Sequence, residues 1–393
     1  MIMRPEPKGW CPGAHRPMQS GDGMIVRVRP RLSQISAAQA KGLARLARQY
    51  GNGQIDLTNR ANLQLRGLLP DAVAPVVQDL SALGLLDLDA ATESRRNILT
   101  QPLWQSGDDS HHLTQELAAR LNELPELPAK FGFAIDCGPA PFLSSDPADI
   151  RLERSADGGV IVRADGLALG APVALTDAVG LAIALAHWFA QTAQTCAEPA
   201  ARRMAHLMPN RAALLPDWAQ PRVRPAAPAV RLCPGPHPLG YCAGAGFGQI
   251  SADALDTLAD RAPGGLRLTP WRLLIALGGG GDLGQFPAAL GLITRADDPL
   301  LAVDACVGAP FCGAATVATR PLAGQLAAGV LAPALASGQT LHVSGCSKGC
   351  ARARVADLTL VGAGGRFDIV RGGVAWDTAE ETGLAPDEIS GVL

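Results

Sequence analysis

The chain has 393 residues, 48% of them apolar, and a formal net charge of −2 at pH 7. This apolar content excludes a disordered protein, and the length is sufficient for two to four modules with their own cores. The nearly balanced charge gives no indication of nucleic acid or an anionic membrane as a partner. We therefore expect a globular protein of several domains.

The N-terminal residues and the cysteine count bear on the compartment. No apolar core follows Arg4 and Lys8, so we predict no secretory signal. Residues 178–197 lack formal charges but include His187 and other polar residues, and we interpret them as a buried helix and not a membrane span. Nine cysteines, an odd number, argue against a disulfide framework. These features predict a cytoplasmic protein. We expect a monomer, although no sequence feature sets the oligomeric state.

The first predicted elements follow Gly21. Residues 24–29 form a β-rich run, and Ser36 with Gln39 three residues later predicts the capped start of a helix that ends at Gly51. Hydrophobic periodicity predicts further strands at 54–58, 63–68, 97–100, 131–136 and 160–164, and helices at 72–83, 113–122 and 177–195.

The same order of elements recurs after residue 240. Gln249-Ile250-Ser251 repeats Gln34-Ile35-Ser36, and Leu268-Thr269 matches Leu57-Thr58 at an offset of 211 residues. Four prolines within residues 216–228 indicate a linker between the copies. The chain is therefore predicted to be an internal duplication of one α+β plan.

Four cysteines of the second copy occur in two pairs. Five residues separate Cys306 from Cys312, three separate Cys346 from Cys350, and each pair follows a predicted strand, 300–305 or 341–344. Four thiolates are the ligand set of a 4Fe-4S cluster, whereas the common zinc motifs have other spacings. Four structural thiols are the remaining alternative. The first copy has a single cysteine at the corresponding place, Cys137, so the cluster is predicted only in the second.

Three segments of the first copy carry cations in apolar or glycine-rich surroundings. Each places its cation in a loop or at a strand end, where guanidinium and ammonium groups are suited to bind carboxylates. The alternative is that these are solvated surface charges. The candidate residues are Arg60, Asn62, Gln64, Arg66, Arg96, Asn97 and Lys130.

The cysteine and cation motifs resemble those of the siroheme-type nitrite and sulfite reductase superfamily. The resemblance covers the Cys312 and Cys346–Cys350 motifs, the Thr58-x-Arg60-x-x-x-Gln64 segment, Arg96-Asn97, and Lys130. It implies a 4Fe-4S cluster and a tetrapyrrole that Arg60 and Gln64 contact. The second active-site lysine of the superfamily is Gly132 here, which counts against sulfite or nitrite reduction.

A second resemblance is to the precorrin-3B synthase family of aerobic cobalamin biosynthesis. It rests on Trp10-Cys11-Pro12-Gly13 and on residues 21–30. The family implies a monooxygenase that hydroxylates C20 of precorrin-3A with dioxygen and a reductant, and closes a γ-lactone. The alternatives are an assimilatory siroheme-dependent sulfite or nitrite reductase, and an iron–sulfur electron-transfer or tetrapyrrole-binding protein.

Together these resemblances imply an α+β, internally duplicated nitrite/sulfite reductase-like fold with pseudo-twofold symmetry. The expected units are a first ferredoxin-like half-domain, a first reductase-like domain with the tetrapyrrole-binding cations, a linker, a second ferredoxin-like half-domain and a second reductase-like domain with the cluster. Their expected bounds are 1–90, 91–215, 216–228, 229–295 and 296–393.

The precorrin-3B synthase family is also described as containing non-haem iron. The candidate ligands are Cys11 with His15 and Cys233 with His237, although a Cys-Pro-Gly turn inherited through duplication is the simpler interpretation. The glycine run 278–281 lacks the context of a dinucleotide site. Electrons are therefore expected from a separate reductase or ferredoxin, and the sequence assigns no catalytic residue.

Overall fold

The structure is a computed structural model that describes residues 12–195, 202–278 and 286–393. The helices and strands of its first half are β1 (Met18–Ser20), β2 (Gly23–Val28), β3 (Gln34–Ile35), α1 (Ala37–Tyr50), β4 (Gln54–Leu57), β5 (Leu63–Leu68), α2 (Val73–Ala82), α3 (Ala90–Arg95), β6 (Ile98–Thr100), α4 (Asp109–Ala119), β7 (Phe133–Asp136), β8 (Ile150–Arg154), β9 (Val160–Ala164), β10 (Ala171–Val173), α5 (Ala178–Gln194) and α6 (Met204–Arg211).

The second half repeats much of this order. Its elements are β11 (Gly235–His237), β12 (Gly240–Gly244), β13 (Gln249–Ser251), α7 (Ala252–Arg261), β14 (Leu266–Leu268), β15 (Leu273–Leu277), α8 (Phe286–Ala289), β16 (Val303–Ala305), α9 (Arg320–Ala328), α10 (Ala332–Ala336), β17 (Leu341–Ser344), β18 (Ala356–Ala363), β19 (Arg366–Gly373), β20 (Glu381–Leu384) and α11 (Ile389–Val392).

The strands form four five-stranded sheets. The first sheet has the order β1-β2-β5-β4-β13 and the third β11-β12-β15-β14-β3, and both are antiparallel. The second sheet, β10-β9-β8-β7-β6, and the fourth, β16-β17-β18-β19-β20, combine parallel and antiparallel pairs in the same arrangement. The two halves therefore share one plan, which confirms the predicted α+β duplication.

The first and third sheets each contain one strand from the other half. Strand β13 pairs with β4 through Ile250 and Ile55, and β3 pairs with β14 through Ile35 and Leu266. These exchanged strands are the Gln-Ile-Ser segments that mark the repeat in the sequence. Each ferredoxin-like sheet is thus completed by the other half, and one hydrophobic core includes residues of both.

The helix α1 begins as predicted and joins the two halves. Ser36 accepts a hydrogen bond from the Gln39 backbone, and the Gln39 side chain accepts one from the Ser36 backbone. This reciprocal cap satisfies two donors that the first helical turn cannot satisfy itself. At the start of helix α7, the Ser251 side chain accepts one hydrogen bond from the Ala254 backbone. Lys41 and Arg48 of α1 form ion pairs with acidic residues of α7.

The second and fourth sheets have separate cores. Helix α5 covers the second sheet with seven buried residues, which include Phe189, so it is a buried helix as predicted. In the part of the chain that the structure describes, no helix has the length and apolarity to cross a bilayer. The predicted linker is packed against the second sheet, where Val223 pairs with Gly170 and Pro225 pairs with Ser155.

Candidate functional site

The two cysteine pairs lie at the same edge of the fourth sheet. Strands β16 and β17 are parallel neighbours, Cys306 directly follows the first of them, and Cys346 lies two residues beyond the second. The backbone N–H of Cys306 donates to Val343 O at 3.2 Å, which continues the ladder to the strand end. Because parallel strands end at one edge, the fold brings together loops that are far apart in sequence.

Local hydrogen bonds fix the backbone of these loops. The Thr319 hydroxyl donates to Cys306 O at 2.6 Å, and the Ser344 hydroxyl donates to Cys346 O at 2.7 Å. The backbone N–H of Gly345 donates to Cys306 Sγ at 3.2 Å. A thiolate is a better acceptor than a thiol, so this donor stabilises the form that binds metal.

The four thiols are close enough to interact electrostatically. Burial raises the pKa of Cys350, and the charges of the three other cysteines raise it further. Within the described residues, no three Cys, His, Asp or Glu side chains could hold one metal ion. A cubane differs from such a site because each of its sulfur ligands binds a different iron. The chemistry of these four donors fits a cluster, and Cys306, Cys312, Cys346 and Cys350 would be its ligands.

The face of the first sheet opposite its core is polar, and we call it the polar face. Its central row is Arg27, Gln64 and Asp56, which are register partners on β2, β5 and β4. Their strand neighbours, such as Val26 and Leu65, belong to the core. Arg27 donates two hydrogen bonds to Gln64 Oε1, at 3.2 and 2.8 Å. Gln64, a predicted site residue, is therefore held by an arginine.

One end of the polar face adjoins the cysteine loops. Ser20 Oγ donates to Phe311 O at 3.4 Å, and a Cβ added to Gly21 would lie 2.8 Å from Gly313 N. Arg320 Nη2 lies 3.6 Å from Asp56 Oδ1. These contacts place segments of the first half beside the loop that carries Cys312.

Two predicted binding arginines form buried ion pairs within the protein. Arg66 donates to both carboxylate oxygens of Asp22, at 3.0 and 2.9 Å, and the two side chains are 7% and 4% exposed. Arg96 donates to both oxygens of Asp87 at 2.8 Å. Arg96 also donates to the carbonyl of Arg29. Paired in this way, Arg66 and Arg96 organise the site, and their charges are already balanced by protein carboxylates.

The other predicted binding residues lie at the opposite end of the polar face. Arg60 donates to Lys130 O at 2.9 Å, and Asn97 donates to Phe131 O at 2.7 Å. Asn62 closes the β4–β5 turn through its backbone, where its carbonyl accepts from the Thr58 N–H at 2.9 Å. These contacts bring together three segments that the sequence analysis singled out separately. The Lys130 ammonium forms no ion pair with any residue of the described ranges.

Three arginines that the sequence analysis did not select belong to the same surface. Arg27 contacts Gln64, Arg29 contacts the Glu93 carbonyl, and Arg320 faces Asp56. The Nε atoms of Arg29 and Arg320 are buried without hydrogen-bond partners. Buried donors are normally satisfied, so these two indicate an acceptor that lies outside the described residues. The alternation of Arg27, Val28 and Arg29 along one strand could have indicated that both arginines lie on the same face of the sheet.

The candidate iron ligands do not form a site within the described residues. Cys11 lies outside those residues. His15 Nε2 lies 2.8 Å from Asp87 O, and the Glu93 carboxylate accepts the backbone N–H of His15. Cys233 Sγ contacts Arg231 O at 3.6 Å, while His237 Nδ1 accepts from the Leu239 N–H.

The two histidines are also not equivalent by position. His15 precedes β1, whereas His237 is the last residue of β11. Gly13, which is described, therefore precedes β1, whereas its sequence counterpart Gly235 is the first residue of β11.

The third sheet shows what the polar face becomes in the second copy. The register pair Arg27–Gln64 corresponds to Cys242–Ile275, and both of these residues are buried in an apolar cluster with Leu273 and Leu277. The third member of this row is Arg267, whose guanidinium donates to Gln34 Oε1, Pro102 O and Trp104 O. The second copy therefore retains the cysteines but not the cationic surface.

The second sheet lacks the cysteine ligands at the corresponding edge. The backbone N–H of Gln101 donates to Ile135 O at 2.9 Å, as that of Cys306 does to Val343 O. Gln101 is thus the counterpart of Cys306, and Cys137 that of Gly345. Burial raises the pKa of Cys137 to about 12, so its thiol stays protonated.

Asp136 is the last residue of β7, and its carboxyl group reports how strongly this edge of the second sheet is buried. Its Oδ2 accepts from the Leu143 N–H at 2.6 Å, its Oδ1 has no partner, and burial raises its pKa to about 7. The folded protein thus keeps a proton that the unfolded chain releases near pH 4. Stability therefore falls as pH rises through this window. Asp136→Asn has no such titration. As the pH rises from 4 to 8, its free energy of unfolding should therefore increase relative to that of wild type, by up to about 4 kcal/mol.

Urea unfolding at several pH values would measure this difference. Asp157→Asn is the control, because hydrogen bonding from Ser155 lowers the pKa of this exposed carboxyl, so its loss gives no such gain. A pH-independent difference for Asp136→Asn would contradict the expectation.

An open groove lies beside the predicted cations. Its volume is about 250 Å³, and it is lined by α3 and the loop before β7, including Arg95, Leu127 and Phe131. Arg95 and Phe131 are the sequence neighbours of Arg96 and Lys130. None of the four cysteines lines this groove.

The fold and this site define a class of protein. Residues 16–83 match the nitrite/sulfite reductase ferredoxin-like half domain. The solved structure of the NirA protein of Mycobacterium tuberculosis has a similar fold, with a TM-score of 0.68 over 94% of this chain and 79% of that chain at 20% identity. A ferredoxin–nitrite reductase of Synechococcus elongatus is 33% identical over 137 residues, 31% of this chain and 26% of that protein. The chain therefore has the nitrite/sulfite reductase-like fold.

A longer match identifies the family within this class. A precorrin-3B synthase of a Sinorhizobium species is 32% identical over 399 residues, which cover 94% of this chain and 83% of that protein. The chain belongs to the precorrin-3B synthase family.

Proposed function

We propose that this protein is a precorrin-3B synthase that hydroxylates precorrin-3A at C20 and closes the γ-lactone, using dioxygen and an external electron donor. The observation that carries the proposal is the position of the polar face of the first half directly beside the cysteine loops of the second. The name of the Sinorhizobium relative supports the same substrate class.

The residues of the polar face would bind a polycarboxylate macrocycle. Among the described residues, the Nε atoms of Arg29 and Arg320 have no hydrogen-bond partner, and Lys130 forms no ion pair. Charge-assisted hydrogen bonds from such groups are among the stronger polar contacts in proteins. The ion pairs of Arg66 and Arg96 would hold the surrounding strands and turns in place. Binding at several points fixes the reacting carbon of a rigid ring relative to the cysteine loops.

The reaction inserts one atom of dioxygen and releases the other as water, which requires two electrons and two protons per turnover. When bound by Cys306, Cys312, Cys346 and Cys350, a 4Fe-4S cluster supplies one-electron transfer. The Gly345 N–H that contacts Cys306 Sγ would stabilise the thiolate in that state. The described residues form no site for a second, non-haem iron, so no step is assigned to one. We propose a separate reductase or ferredoxin as the electron source and the cytoplasm as the compartment.

Gly132 counts against sulfite or nitrite reduction. A Cβ added there would lie 2.7 Å from Asn97 Nδ2 and 2.9 Å from Asn97 O. Asn97 is itself held by its hydrogen bond to Phe131 O. A lysine at this position would displace the backbone that carries Lys130, so the second cation of the reductases has no place here.

The test is to incubate the cluster-loaded protein with precorrin-3A, a reductant and ¹⁸O-labelled dioxygen, and to analyse the product by mass spectrometry. We expect one labelled oxygen atom in the product and matching oxygen consumption. Cys306→Ser serves as the inactive control. Binding of precorrin-3A without oxygen consumption would indicate a tetrapyrrole-binding protein instead. Siroheme absorption bands with turnover of sulfite or nitrite would indicate a reductase.

A further inference from the structure

Arg320 of the second half faces the polar face, where it forms a long ion pair with Asp56. It is the first residue of α9, and its side chain is 16% exposed. Its Nε is buried and has no hydrogen-bond partner among the residues that the structure describes. The nearest carboxylate oxygen, Asp56 Oδ1, lies 3.6 Å from Arg320 Nη2, which is beyond hydrogen-bonding distance. A largely buried guanidinium with one long ion pair and an unsatisfied Nε has donors left to bind a further anion.

Asp56 is a weak counter-ion for Arg320. It lies between two arginines, with Oδ2 at 3.5 Å from Arg66 Nη1. Its Oδ1 is buried without a hydrogen-bond partner, and burial raises its pKa. Arg66 already has a bidentate partner in Asp22. Two arginines and two carboxylates therefore meet at this end of the polar face, and within the described ranges Arg320 has only the carboxylate that it shares with Arg66.

The cysteine loop fixes the position of Arg320. The preceding residue, Thr319, is fully buried, and its hydroxyl donates to Cys306 O. A Cβ added to Gly308 would lie 2.6 Å from the Thr319 hydroxyl, so the loop packs closely around this residue. The guanidinium is thus held at a defined place between the cysteine loop and the first sheet.

We propose that Arg320 binds a carboxylate of the tetrapyrrole substrate and is a positioning residue that orients the macrocycle relative to the cysteine loops. This inference rests on the function proposed above. Arg320 contacts Asp56, which lies in one row with Gln64 and Arg27. Arg29 is two residues beyond Arg27, about 7 Å along the strand, and Asp56 is two strands away from β2, about 10 Å across the sheet. Arg29 and Arg320 therefore mark two separated carboxylate positions, which a large, rigid polyanion could occupy together.

An alternative role for Arg320 is to act on the Cys306 thiolate, because their charges interact. In that case the arginine would influence the cluster but not the binding of the macrocycle. A binding measurement that also records the visible absorption of the cluster separates the two roles.

The experiment titrates the cluster-loaded protein with uroporphyrin III, an octacarboxylate porphyrin, and follows porphyrin fluorescence. Because Arg320→Gln removes one charge-assisted contact, we expect it to weaken porphyrin binding about 10- to 100-fold. Arg320→Lys keeps the charge and should keep most of the affinity. The control is Arg295→Gln, an exposed arginine paired with Asp297, which should bind as wild type does. The cluster absorption should be unchanged in all three variants.

Three results would overturn the inference. Wild-type affinity in Arg320→Gln would exclude a carboxylate contact and leave the proposed function intact. An altered cluster absorption with unchanged affinity would assign Arg320 to the thiolate. If wild type itself did not bind the porphyrin, the proposed function would fail together with this inference. If the glutamine variant does not fold, Arg320→Lys still tests the proposal, because lysine keeps the positive charge. An affinity about 10- to 100-fold weaker in Arg320→Lys would then contradict it.

Discussion

Cys306→Ser is expected to reduce the iron content from the four atoms of a cubane to nearly zero and to abolish precorrin-3A hydroxylation. The serine side chain is a poor ligand for cluster iron, and the remaining three cysteines cannot complete the set. The substitution is nearly isosteric, and the backbone contacts of Cys306 with Val343 and Thr319 do not involve its sulfur. The fold should therefore persist, and iron, acid-labile sulfide and visible absorption per chain measure the effect.

Cys233→Ser is the matched control. Cys233 is exposed, and the only hydrogen bond that the described residues show for its sulfur is a long contact with Arg231 O. We expect this variant to retain the full iron content and absorption. Loss of a single iron from it would place Cys233 in a separate iron site. Full iron content in Cys306→Ser would refute the proposed ligand set.

Arg66→Ala is expected to lower the free energy of unfolding by about 3–5 kcal/mol. The substitution leaves the Asp22 carboxylate, whose side chain is 4% exposed, without its bidentate partner. It also removes the hydrogen bond to Ser20, which contacts the cysteine loop at Phe311. Urea unfolding followed by far-ultraviolet circular dichroism would measure the change.

The control for Arg66 is Arg45→Ala, which removes an exposed ion pair with Asp79. Such pairs contribute about 0–1 kcal/mol, so little change is expected. If Arg66→Ala kept wild-type stability but lost porphyrin affinity, Arg66 would be a direct ligand contact, as the sequence analysis predicted. The two measurements therefore separate an organising role from a binding role.

The predictions that depend on local sequence agree with the structure. The cap at Ser36, the strands β5, β9 and β17 and the buried helix α5 follow from side-chain periodicity and capping, which act over a few residues. The repeat was visible because both copies kept the Gln-Ile-Ser segment. The exchange of these segments between the sheets was not predictable, because an edge strand of two or three residues carries no signal of its partner.

The candidate site was predicted in part. Arg60 and Lys130 were selected from separate segments, and the fold brings their loops into contact. The buried partners of Arg66 and Arg96 could not be inferred, since any of the many carboxylates could have paired with them. Arg320 was missed because it is an ordinary helix-start residue in the sequence, and only the packing of the second half against the first sheet places it near Asp56.

The sequence by itself determined the duplicated α+β plan, the paired cysteines at two strand ends and the family resemblance. These depend on periodicity, spacing and residue type, which are properties of short segments. Only the tertiary structure decided which cations are balanced by protein carboxylates and which have unsatisfied donors. That distinction depends on contacts between residues tens to hundreds of positions apart, because a buried charge is stabilised by whichever partner the fold brings within hydrogen-bonding distance.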